Sequence, residues 1–454
     1  SRNPTQGTTM NVLFVELEME RNWSVASIGP AFLSSYVRPH GHSCKIVHIP
    51  FDMSIDDAIH MICAEKTDIL GLSLTTRQWQ RAVRLLKKLR TIENIPTIVG
   101  GLHPTFSPED TLSKEGIDYV CLGEGEDSFL DFLGHMQQNG SVANGEIENI
   151  WVKGGTRPKV RPPVPELDTI PFMDRALLNE RYGVVNMTTQ RGCPFPCTYC
   201  AARMYNEMYG NAEYGRRRSI QNVLDELHHI KENELLSYVI FLDDTFTINH
   251  KWIRSFLTQY KEQLSIPFGI HARAETINQR MLVQLAESGC KHITFGVESG
   301  SHRLRYEVMH RKVSNQRLID AFRWTKELGM LATANYIIGF PTETREDIEE
   351  TIALHYEIDP DDFGYFVFYP YPGTPMYQYC LKNGLLPENH LSLEANHRKS
   401  ILLHDTLTDE DIEEYYQKFT QIRTESYMKK FGGQFSQEGK ETVEKTHQKT
   451  AQTG

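Results

Sequence analysis

The sequence predicts an α/β protein with two sheets, a doubly wound parallel sheet followed by a partial parallel barrel of six strand–helix repeats. Strongly apolar strand candidates alternate with amphipathic helix candidates through residues 10–139 and again through residues 181–375. Such alternation is typical of parallel sheets covered by helices. A stretch rich in proline and glycine, residues 140–180, separates the two parts and is predicted to be a linker.

The first part is predicted to contain five strands and three helices. The strand candidates are, in chain order, MNVLFVEL, CKIVHI, DILGLSL, PTIVGG and IDYVCLGEGE. The helix candidates are IGPAFLSSYVRPHG, residues 56–65 and RAVRLLKKLR. A doubly wound sheet binds its ligands at the carboxyl ends of its strands, so the residues that end these strands are candidates for a binding site.

The second part is predicted to contain six strands separated by helices. The strand candidates are VVNMTTQ, YVIFLDD, FGIHAR, HITFGVES, ATANYIIGF and FGYFVFYP. Barrels place their chemistry at the carboxyl ends of their strands. Polar residues that stand out in this half fall at such ends: Cys193, Asp243, Asp244, Arg273 and Glu298. Residues 376–432 are predicted to be mainly helical, and residues 433–454 are predicted to be disordered because they are polar and aperiodic.

Composition narrows the class of protein. Of 454 residues, 40% are hydrophobic and 24% are charged, which is typical of globular chains. The net charge of −11 argues against a nucleic-acid partner. No apolar run approaches the roughly 18 residues that a membrane span needs, and the first residues lack the pattern of a secretory signal. Eight cysteines are too few for a disulfide scaffold, so we predict a cytoplasmic protein with reduced thiols.

Three of the eight cysteines lie together in the stretch QRGCPFPCTYC, as Cys193, Cys197 and Cys200. Thiolates bind soft metals and iron–sulfur clusters. A structural zinc site usually has four ligands in two pairs, and this stretch has no second pair. Three thiolates could hold a four-iron cluster and leave one iron open to a substrate or cofactor. A zinc site completed by a distant residue and three unrelated thiols are the alternatives.

The pattern Cys-x3-Cys-x2-Cys after the first strand of a partial barrel resembles the signature of the radical S-adenosylmethionine (SAM) enzymes, over roughly residues 184–375. The resemblance implies a four-iron four-sulfur (4Fe–4S) cluster on the three cysteines, with SAM on the open iron. It further implies that an electron from the cluster cleaves SAM to methionine and a 5′-deoxyadenosyl radical, which abstracts hydrogen from an unactivated carbon. A reductase such as flavodoxin or ferredoxin is the implied electron donor.

Further positions match motifs of the same family. Tyr199 fits the aromatic residue that packs against adenine, and Asp243 or Asp244 in FLDDTF fits the site of the SAM amino group. Arg273 could pair with the SAM carboxylate, and Glu298 in GVESG matches the ribose motif. The stretches GFPTET and PYPGTP also match. The ordinary alternatives are core packing for the tyrosine, helix capping for the aspartates and a structural ion pair for the arginine.

The first part resembles the cobalamin-binding domains that precede many radical SAM barrels. Ser73 ends the third strand candidate, and Gly100 and Gly101 end the fourth, about 27 residues later. This pattern is similar to the one that cradles the nucleotide tail of cobalamin, where a bulky side chain would fill the slot. Glu124 belongs to GEGE, a stretch typical of this branch. A generic flavodoxin-like, or Rossmann-like, domain with tight turns is the alternative.

Many cobalamin domains supply a histidine to cobalt from the loop after the first strand. The corresponding stretch here, ELEMERNWSVASIGP, has no histidine, which predicts cobalt without a histidine ligand. The loop TTRQW is then expected to cover the lower face of cobalt. Candidate contacts in or near this loop are Thr75, Thr76, Arg77, Gln78, Trp79 and His103. The alternative role of His103 is to cap a turn.

These matches predict a cobalamin-dependent radical SAM methyltransferase, which moves a methyl group from SAM by way of methylcobalamin to an unactivated carbon. The substrate could be a small molecule, a lipid or a residue of a peptide or protein, such as a glutamine of methyl-coenzyme M reductase. One alternative is an oxidative cyclase or rearrangement enzyme of tetrapyrrole, lipid or antibiotic biosynthesis. Two others are a tRNA methylthiotransferase and a non-catalytic cobalamin-binding sensor. The aromatic stretch FGYFVFYPYPGTPMY is expected to belong to the core rather than to a pocket.

Overall fold

The computed structural model describes residues 9–20, 27–210 and 215–431. Within these residues it contains two six-stranded sheets and one two-stranded ribbon. The stretch 433–454, predicted to be disordered, lies outside the described residues, as does part of the loop after the first strand.

The first sheet has six strands, of which five are parallel and the last is antiparallel. They are β1 (Asn11–Leu17), β2 (Ser43–Ile49), β3 (Ile69–Ser73), β4 (Thr97–Gly100), β5 (Tyr119–Cys121) and β6 (Ile150–Val152). Their order is β2-β1-β3-β4-β5-β6. The first five follow the flavodoxin-like order, in which ligands bind at the switch point between β1 and β3. The predicted doubly wound sheet is confirmed.

Six helices cover this sheet on its two faces. They are α1 (Ile28–Val37), α2 (Ile55–Cys63), α3 (Thr76–Arg90), α4 (Leu102–Phe106), α5 (Pro108–Ser113) and α6 (Glu126–Asn139). Separate buried clusters of aliphatic and aromatic side chains lie on the two faces, as expected for a sheet covered on both sides. The last three helices, α4, α5 and α6, are not among those predicted from the sequence. Strand β6 lies inside the stretch that was expected to be a linker.

The prediction of a loop over TTRQW is wrong, because Thr76 to Trp79 form the first turn of α3. Thr75 is the N-cap of this helix, and its backbone N–H donates to Gln78 Oε1 at 2.9 Å. This is a capping box, for which Thr-x-x-Gln is the sequence signature. The helix therefore begins immediately after the carboxyl end of β3.

The second sheet forms an open barrel of six parallel strands in the order β14-β13-β12-β11-β10-β7. These strands are β7 (Val184–Met187), β10 (Tyr238–Phe241), β11 (Phe268–Ala272), β12 (Cys290–Glu298), β13 (Leu331–Ile338) and β14 (Asp362–Val367). The short strands β8 (Gln190–Arg191) and β9 (Arg216–Arg217) form the separate antiparallel ribbon. The six predicted barrel strands are confirmed, because each was a long apolar run between amphipathic helices.

The helices of the second half lie outside the barrel or follow it. They are α7 (Ala201–Tyr209), α8 (Ile220–Asn233), α9 (His250–Gln263), α10 (Gln279–Glu287), α11 (Asn315–Glu327), α12 (Arg345–Ile358), α13 (Pro375–Lys382) and α14 (Asp409–Phe431). Helices α8 to α12 each begin after an N-cap residue, whose side chain accepts a hydrogen bond from the backbone N–H three residues further along the chain. The caps are Ser219, Asn249, Asn278, Ser314 and Thr344.

Alternation along the barrel strands directs polar side chains inward. In β12, Ile293, Phe295 and Val297 are buried in the core between the sheet and its outer helices. Side chains alternate along a strand, so Thr294 and Glu298 face the barrel interior. Of residues 376–432, α13 and α14 are helical and the stretch between them is mostly irregular. None of the described helices is long and apolar enough to cross a membrane.

Partly buried ion pairs join the carboxyl edge of the first sheet to the two-stranded ribbon β8–β9 beside the barrel. Glu124, after β5, pairs with Arg216 of β9 and with Arg191 of β8, the latter at 3.0 Å. The Glu124 backbone N–H also donates to Tyr209 Oη at 2.7 Å. Charged groups of this kind hold a fixed geometry when they are paired and desolvated. The carboxyl ends of both sets of strands therefore meet at one interface.

Candidate functional site

A cavity of about 220 Å³ lies at the carboxyl ends of the barrel strands, and we call it the thiol cavity. The sequence-predicted residues that line it are Cys193, Cys197, Cys200, Tyr199, Asp244, Arg273 and Glu298. These residues come from four separate strand ends, spread over about a hundred residues of sequence. The parallel barrel brings them together because all its strands end at the same face.

The loop that carries the three thiols is held from both sides. Asn206 Nδ2 of α7 donates to the Cys193 carbonyl at 2.7 Å. Thr198 Oγ1 donates to the Val308 carbonyl at 2.7 Å, and the Met376 N–H donates to the Thr198 carbonyl at 2.9 Å. These bonds fix the backbone between the cysteines without using the thiols. The sulfur atoms are therefore positioned at the cavity wall by their surroundings.

The chemistry of this wall fits a metal cluster. Burial raises the pKa of the Cys193 thiol and raises the pKa of the Cys200 thiol to about 12, so both groups are protonated at neutral pH when no metal is bound. Positive metal charge would convert them to thiolates. The three thiols line one cavity, and no fourth cysteine is among the described residues that line it, which is the donor set that a four-iron cluster with one open iron needs.

The two neighbouring aspartates after β10 have different surroundings. Asp243 is buried and accepts hydrogen bonds from the Thr189 N–H at 2.7 Å, Thr189 Oγ1 at 2.5 Å and the Gln190 N–H at 3.1 Å. Asp243 therefore braces the chain between β7 and the cysteines, and it does not line the cavity. Asp244 is exposed to the thiol cavity, and desolvation by the surrounding groups together with the nearby Asp243 raises its pKa to about 6. Only Asp244 is placed to meet a ligand.

Arg273 ends β11 and lies against the cysteine loop. Its Nη1 donates to Cys197 Sγ at 3.1 Å, and its guanidinium stacks on the Phe195 ring at 3.8 Å from the centroid. It also forms an ion pair with Glu275, so the structural ion pair expected as its alternative role is present. The residue contacts one thiol and remains at the cavity wall.

Glu298 ends β12 with a φ of 68°, in the left-handed region that residues other than glycine rarely adopt. Its buried carboxyl faces Arg311 at 3.6 Å and accepts a hydrogen bond from the Tyr199 hydroxyl. Desolvation raises the pKa of Glu298, although Arg311 and the Tyr199 hydroxyl act to lower it. Arg311, a buried residue that also lines the thiol cavity, was not predicted from sequence. Arg311 does not directly follow a strand and belongs to no recognised motif. The sequence alone therefore could not identify it as a site residue.

The turn GFPTET packs behind Tyr199. Glu343 of this turn is fully buried and accepts hydrogen bonds from the backbone N–H groups of Gly339 and Phe340. The Phe340 ring meets Tyr199 edge-on, with 5.5 Å between centroids. The turn therefore supports the aromatic wall of the thiol cavity.

A second cavity, of about 420 Å³, lies at the carboxyl edge of the first sheet, and we call it the sheet-edge cavity. Predicted residues on its wall are Ser73, Thr75, Gly100, Gly101 and Glu124. The barrel half contributes Thr188, Arg191 and Tyr205 to the same wall. The cavity lies at the switch point of the doubly wound sheet, where this architecture binds ligands.

Glycines keep the floor of this cavity open. Gly101 has a φ of 91°, and a Cβ added there would lie 2.7 Å from the Leu74 backbone nitrogen and 3.0 Å from Ser73 Oγ. Gly29, which sequence reasoning missed, faces the same serine, since its Cβ would lie 3.2 Å from Ser73 Oγ. The serine hydroxyl thus sits in a slot between two backbones. This slot fits the predicted nucleotide tail of cobalamin, because a larger side chain at either glycine would close the slot.

Five other predicted contacts lie away from the cavity wall. Thr76 Oγ1 lies 3.2 Å from His103 Nδ1, and the His103 ring stacks on Trp79 with centroids 4.5 Å apart. Gln78 Nε2 donates to the buried Glu16 at 2.6 Å, and Arg77 pairs with Glu20. These side chains hold α3 against β1 and α4. Of the TTRQW residues predicted to face cobalt, only Thr75 lines the sheet-edge cavity.

Comparison with known proteins agrees with this arrangement. The family model of the radical SAM superfamily matches residues 187–355, and the model of the B12-binding domain matches residues 24–133. An uncharacterised methyltransferase of Pyrococcus horikoshii is 31% identical over 375 residues, which cover 79% of this chain and 79% of that protein. The anaerobic magnesium-protoporphyrin IX monomethyl ester cyclase of Rubrivivax gelatinosus is 26% identical over 396 residues, covering 81% of this chain and 70% of that protein.

A solved structure has the same fold. It is the radical S-adenosylmethionine methyltransferase TsrM of Kitasatospora setae with cobalamin and a 4Fe–4S cluster bound. The TM-score is 0.69 at 17% identity, and the match covers 83% of this chain and 78% of that chain.

A barrel with three thiols at its open face and a doubly wound domain in front of it define a radical SAM enzyme with a B12-binding domain. The chain belongs to the radical SAM superfamily, in its cobalamin-dependent branch. Its cofactors are accordingly a 4Fe–4S cluster, SAM and cobalamin. The thiol cavity fits the first two by its donor set, and the sheet-edge cavity fits the third by its open glycine floor.

Proposed function

We propose that this chain is a methyltransferase that uses SAM and cobalamin to methylate an unactivated carbon. The observation that carries the proposal is the position of α7. This helix begins immediately after Cys200 at the thiol cavity, and its residue Tyr205 lines the sheet-edge cavity. Both cofactor sites therefore share one structural element at the domain interface. A substrate between the two cavities would reach both, as transfer from one cofactor to a carbon activated by the other requires.

The residues around the thiol cavity would bind and orient SAM. The cysteines would hold the cluster, which when bound supplies the electron that cleaves SAM. Asp244 would accept hydrogen bonds from the SAM amino group, and Arg273 would pair with its carboxylate. Glu298 would accept from the ribose hydroxyls, held in place by Arg311, while Tyr199 would pack on the adenine. Because these residues would hold SAM in a closed space, they would exclude water from the reacting atoms.

The residues of the sheet-edge cavity would bind cobalamin, which when bound supplies the methyl group. Ser73, Gly100 and Gly101 would cradle the nucleotide tail, and Thr75 and Glu124 would lie at the wall. Arg191 and Tyr205 would close the cavity from the barrel side. A flavodoxin or ferredoxin is the electron donor that we propose, since the cluster needs a one-electron reductant of low potential.

A cyclase is the second candidate, because the Rubrivivax protein is similar over most of both chains. A tRNA methylthiotransferase is not favoured, since it needs a second cluster. The three cysteines of the first domain lie apart: Cys63 is exposed, Cys44 lies in the buried core and Cys121 lines the sheet-edge cavity. A sensor without catalysis is not favoured either, because Tyr199, Asp244, Arg273 and Glu298 all line the thiol cavity together with the three cysteines.

The products formed from SAM distinguish the candidates. The full chain, reconstituted anaerobically with iron, sulfide and cobalamin, would be incubated with SAM and a reductant, and the products separated by chromatography. A methyltransferase should yield S-adenosylhomocysteine together with 5′-deoxyadenosine. Formation of 5′-deoxyadenosine alone would favour the cyclase, and formation of neither would contradict an enzyme of either kind.

A further inference from the structure

The segment that precedes the barrel, residues 164–178, is packed against the first domain. It contributes five side chains to the buried cluster that also contains residues of α1 and α6: Leu167, Ile170, Met173, Leu177 and Leu178. Shared burial of this kind makes the segment part of the core of the first domain. Two adjacent polar residues of the segment, Asp174 and Arg175, contact different domains, and we call this pair the clamp.

Asp174 binds the first domain. Its carboxylate accepts hydrogen bonds from Ser34 Oγ at 2.6 Å and from Arg38 Nε at 2.6 Å. Its backbone N–H donates to the Ala31 carbonyl at 3.1 Å. These partners lie on α1 or directly after it, and α1 with the turn of its first residues supplies four residues to the wall of the sheet-edge cavity. Asp174 is therefore fixed to the helix that forms part of that wall.

Arg175 binds the barrel, and only 8% of its side chain is exposed. Its Nη1 donates to both carboxylate oxygens of Glu180 at 2.9 Å, and its Nη2 donates to Glu226 of α8 at 3.1 Å. Both Nη atoms also donate to the Asn186 carbonyl of β7, at 3.2 and 3.3 Å. The planar fork of an arginine suits several acceptors held in fixed positions. One guanidinium therefore joins the linker segment to the first barrel strand and to α8.

The strand that Arg175 contacts leads into the cysteine loop. β7 ends at Met187, and the first cluster cysteine is Cys193. Between them, the Thr188 carbonyl accepts a hydrogen bond from Arg218 at 3.0 Å, and Arg218 also pairs with Glu226 at 2.7 Å. Contacts therefore run without a break from α1, through the clamp, to the chain that carries the thiols.

The local sequence explains why two neighbouring side chains point to different domains. Asp174 is the N-cap of a short 3₁₀ turn, Arg175–Leu177, and its carboxylate also accepts from the Ala176 N–H at 3.3 Å. Aspartate is a favoured residue at such a position. Consecutive Cα atoms lie about 3.8 Å apart, so a pair with both side chains bound leaves little freedom between the groups that it joins. The clamp therefore fixes the position of α1 relative to β7.

We propose that Asp174 and Arg175 are positioning residues, which hold the sheet-edge cavity and the thiol cavity at the spacing that methyl transfer needs. The inference rests on the proposed function, because it takes these cavities as the cobalamin and SAM sites. Neither residue lines either cavity, so both act through α1 and β7. Small misplacements of reacting groups lower rates strongly. Loss of the clamp should therefore impair a reaction that uses both cavities more than one that uses the thiol cavity alone.

The first experiment measures the distance between the domains. One spin label is attached to Cys63, an exposed thiol at the end of α2, and another to Val283→Cys on the exposed face of α10. The full chain, reconstituted with iron, sulfide and hydroxocobalamin and kept oxidised, is studied by double electron–electron resonance. The intact clamp should give one narrow distance distribution. Asp174→Ala and Arg175→Met should each broaden it at least about twofold, because domains move relative to each other where their contacts are lost.

Arg175→Met leaves the barrel able to fold. Methionine retains an apolar stem of similar length, and arginine stems contribute to packing. Glu226 keeps its pairing with Arg218, and Glu180 keeps the hydrogen bond that it accepts from the Asn186 N–H at 2.6 Å. The variant therefore removes the link between the domains and leaves each carboxylate with a partner.

The matched control for Asp174→Ala is Asp118→Ala. The Asp118 carboxylate accepts from Arg90 Nη2 at 2.5 Å and from the Thr97 N–H at 2.9 Å, and all three residues belong to the first domain. This variant loses an arginine partner and a second donor, as Asp174→Ala does, without breaking a contact between domains. It should lower stability and leave the distance distribution narrow.

The second experiment measures the products formed from SAM by the reconstituted chain with a reductant. Under the proposed function, 5′-deoxyadenosine needs only the thiol cavity, whereas S-adenosylhomocysteine needs both cavities. Each clamp variant should keep the rate of 5′-deoxyadenosine formation within about twofold and lower the ratio of S-adenosylhomocysteine to it at least about tenfold. The double variant should lower the ratio no further than the stronger single variant, because residues that form one link are not additive.

Unchanged distance distributions in folded clamp variants, or equal broadening in Asp118→Ala, would overturn the inference. It would also fall if the product ratio stayed constant while the distribution broadened, or if the double variant lost the product of the two single losses. The distance measurement needs no turnover. Broadening as expected, with no S-adenosylhomocysteine from any chain, would remove the methyltransferase and leave the clamp between the domains. Normal product formation with unchanged distances would remove the clamp and leave the methyltransferase.

Discussion

Gly100 offers a direct test of where the cobalamin tail binds. Its φ lies outside the left-handed region, and a Cβ added there would lie 3.4 Å from the Cys121 carbonyl oxygen, an ordinary contact. The backbone of β4 therefore accepts a side chain at this position. Gly100 lines the sheet-edge cavity, so the rest of a larger side chain would occupy volume that we assign to the tail. Gly100→Leu should weaken cobalamin binding while the chain stays folded.

The size of the effect follows from overpacking. Adding bulk to a well-filled site costs about 1–3 kcal/mol, which corresponds to about 5- to 150-fold in affinity. Gly100→Ala adds only the Cβ, whose nearest contacts are ordinary, and should cost less than about threefold. Gly101→Ala should behave differently, because its φ of 91° and the 2.7 Å approach to Leu74 strain the fold itself. That variant should be less stable by at least about 1–2 kcal/mol even without cobalamin.

The assay is an absorbance titration of hydroxocobalamin into each reconstituted chain, followed by desalting and measurement of retained cobalamin. Iron content and the cluster spectrum serve as the control, since β4 is remote in sequence from the cysteine loop. Equal affinity for Gly100→Leu and the unaltered chain, with the variant folded, would refute the reasoning. The tail would then lie elsewhere on the sheet edge.

Replacing all three cysteines of the thiol cavity with alanine should abolish the cluster and 5′-deoxyadenosine together; product formed by that variant would contradict the assignment. Asp243→Asn should lower the denaturation midpoint, costing about 1–3 kcal/mol through lost hydrogen bonds, whereas Asp244→Asn should keep the midpoint and weaken SAM binding at least about tenfold. The reverse pattern would exchange their roles. Burial raises the pKa of Glu16 to about 7 from 4.5, so the folded chain keeps a proton that the unfolded chain releases. Stability should therefore fall by about 3 kcal/mol as pH rises from 4.5 to 7, and Glu16→Gln should remove that part of the urea-midpoint profile; parallel profiles would contradict it.

The strands of both sheets could be predicted from sequence because long apolar runs between amphipathic helices have few other interpretations. The start of α3 could also have been predicted, since Thr75 and Gln78 stand at capping-box spacing. Strand β6 could not, because three residues inside a stretch rich in proline and glycine carry no periodicity.

The site was predictable where a side chain follows a strand directly, and less so elsewhere. Asp243 and Asp244 are adjacent, and only the contacts of the first with Thr189 and Gln190 decide which one faces the cavity. A short π-helix, Leu304–Val308, precedes Arg311 and helps to place it beside Glu298. No local sequence pattern predicts the geometry of this helix. Long-range packing, rather than local sequence, places such residues.

The central claim is that one chain holds both cofactors, at two cavities that both contact α7. The most direct test is to reconstitute the protein anaerobically with iron and sulfide, add hydroxocobalamin, desalt, and measure iron, sulfide and cobalamin per chain. About four irons and one retained cobalamin per chain are predicted, as expected for one 4Fe–4S cluster and one B12 site. Four irons with no retained cobalamin would contradict the account, because the sheet-edge cavity would then bind another ligand and the proposed methyl transfer would lose its carrier.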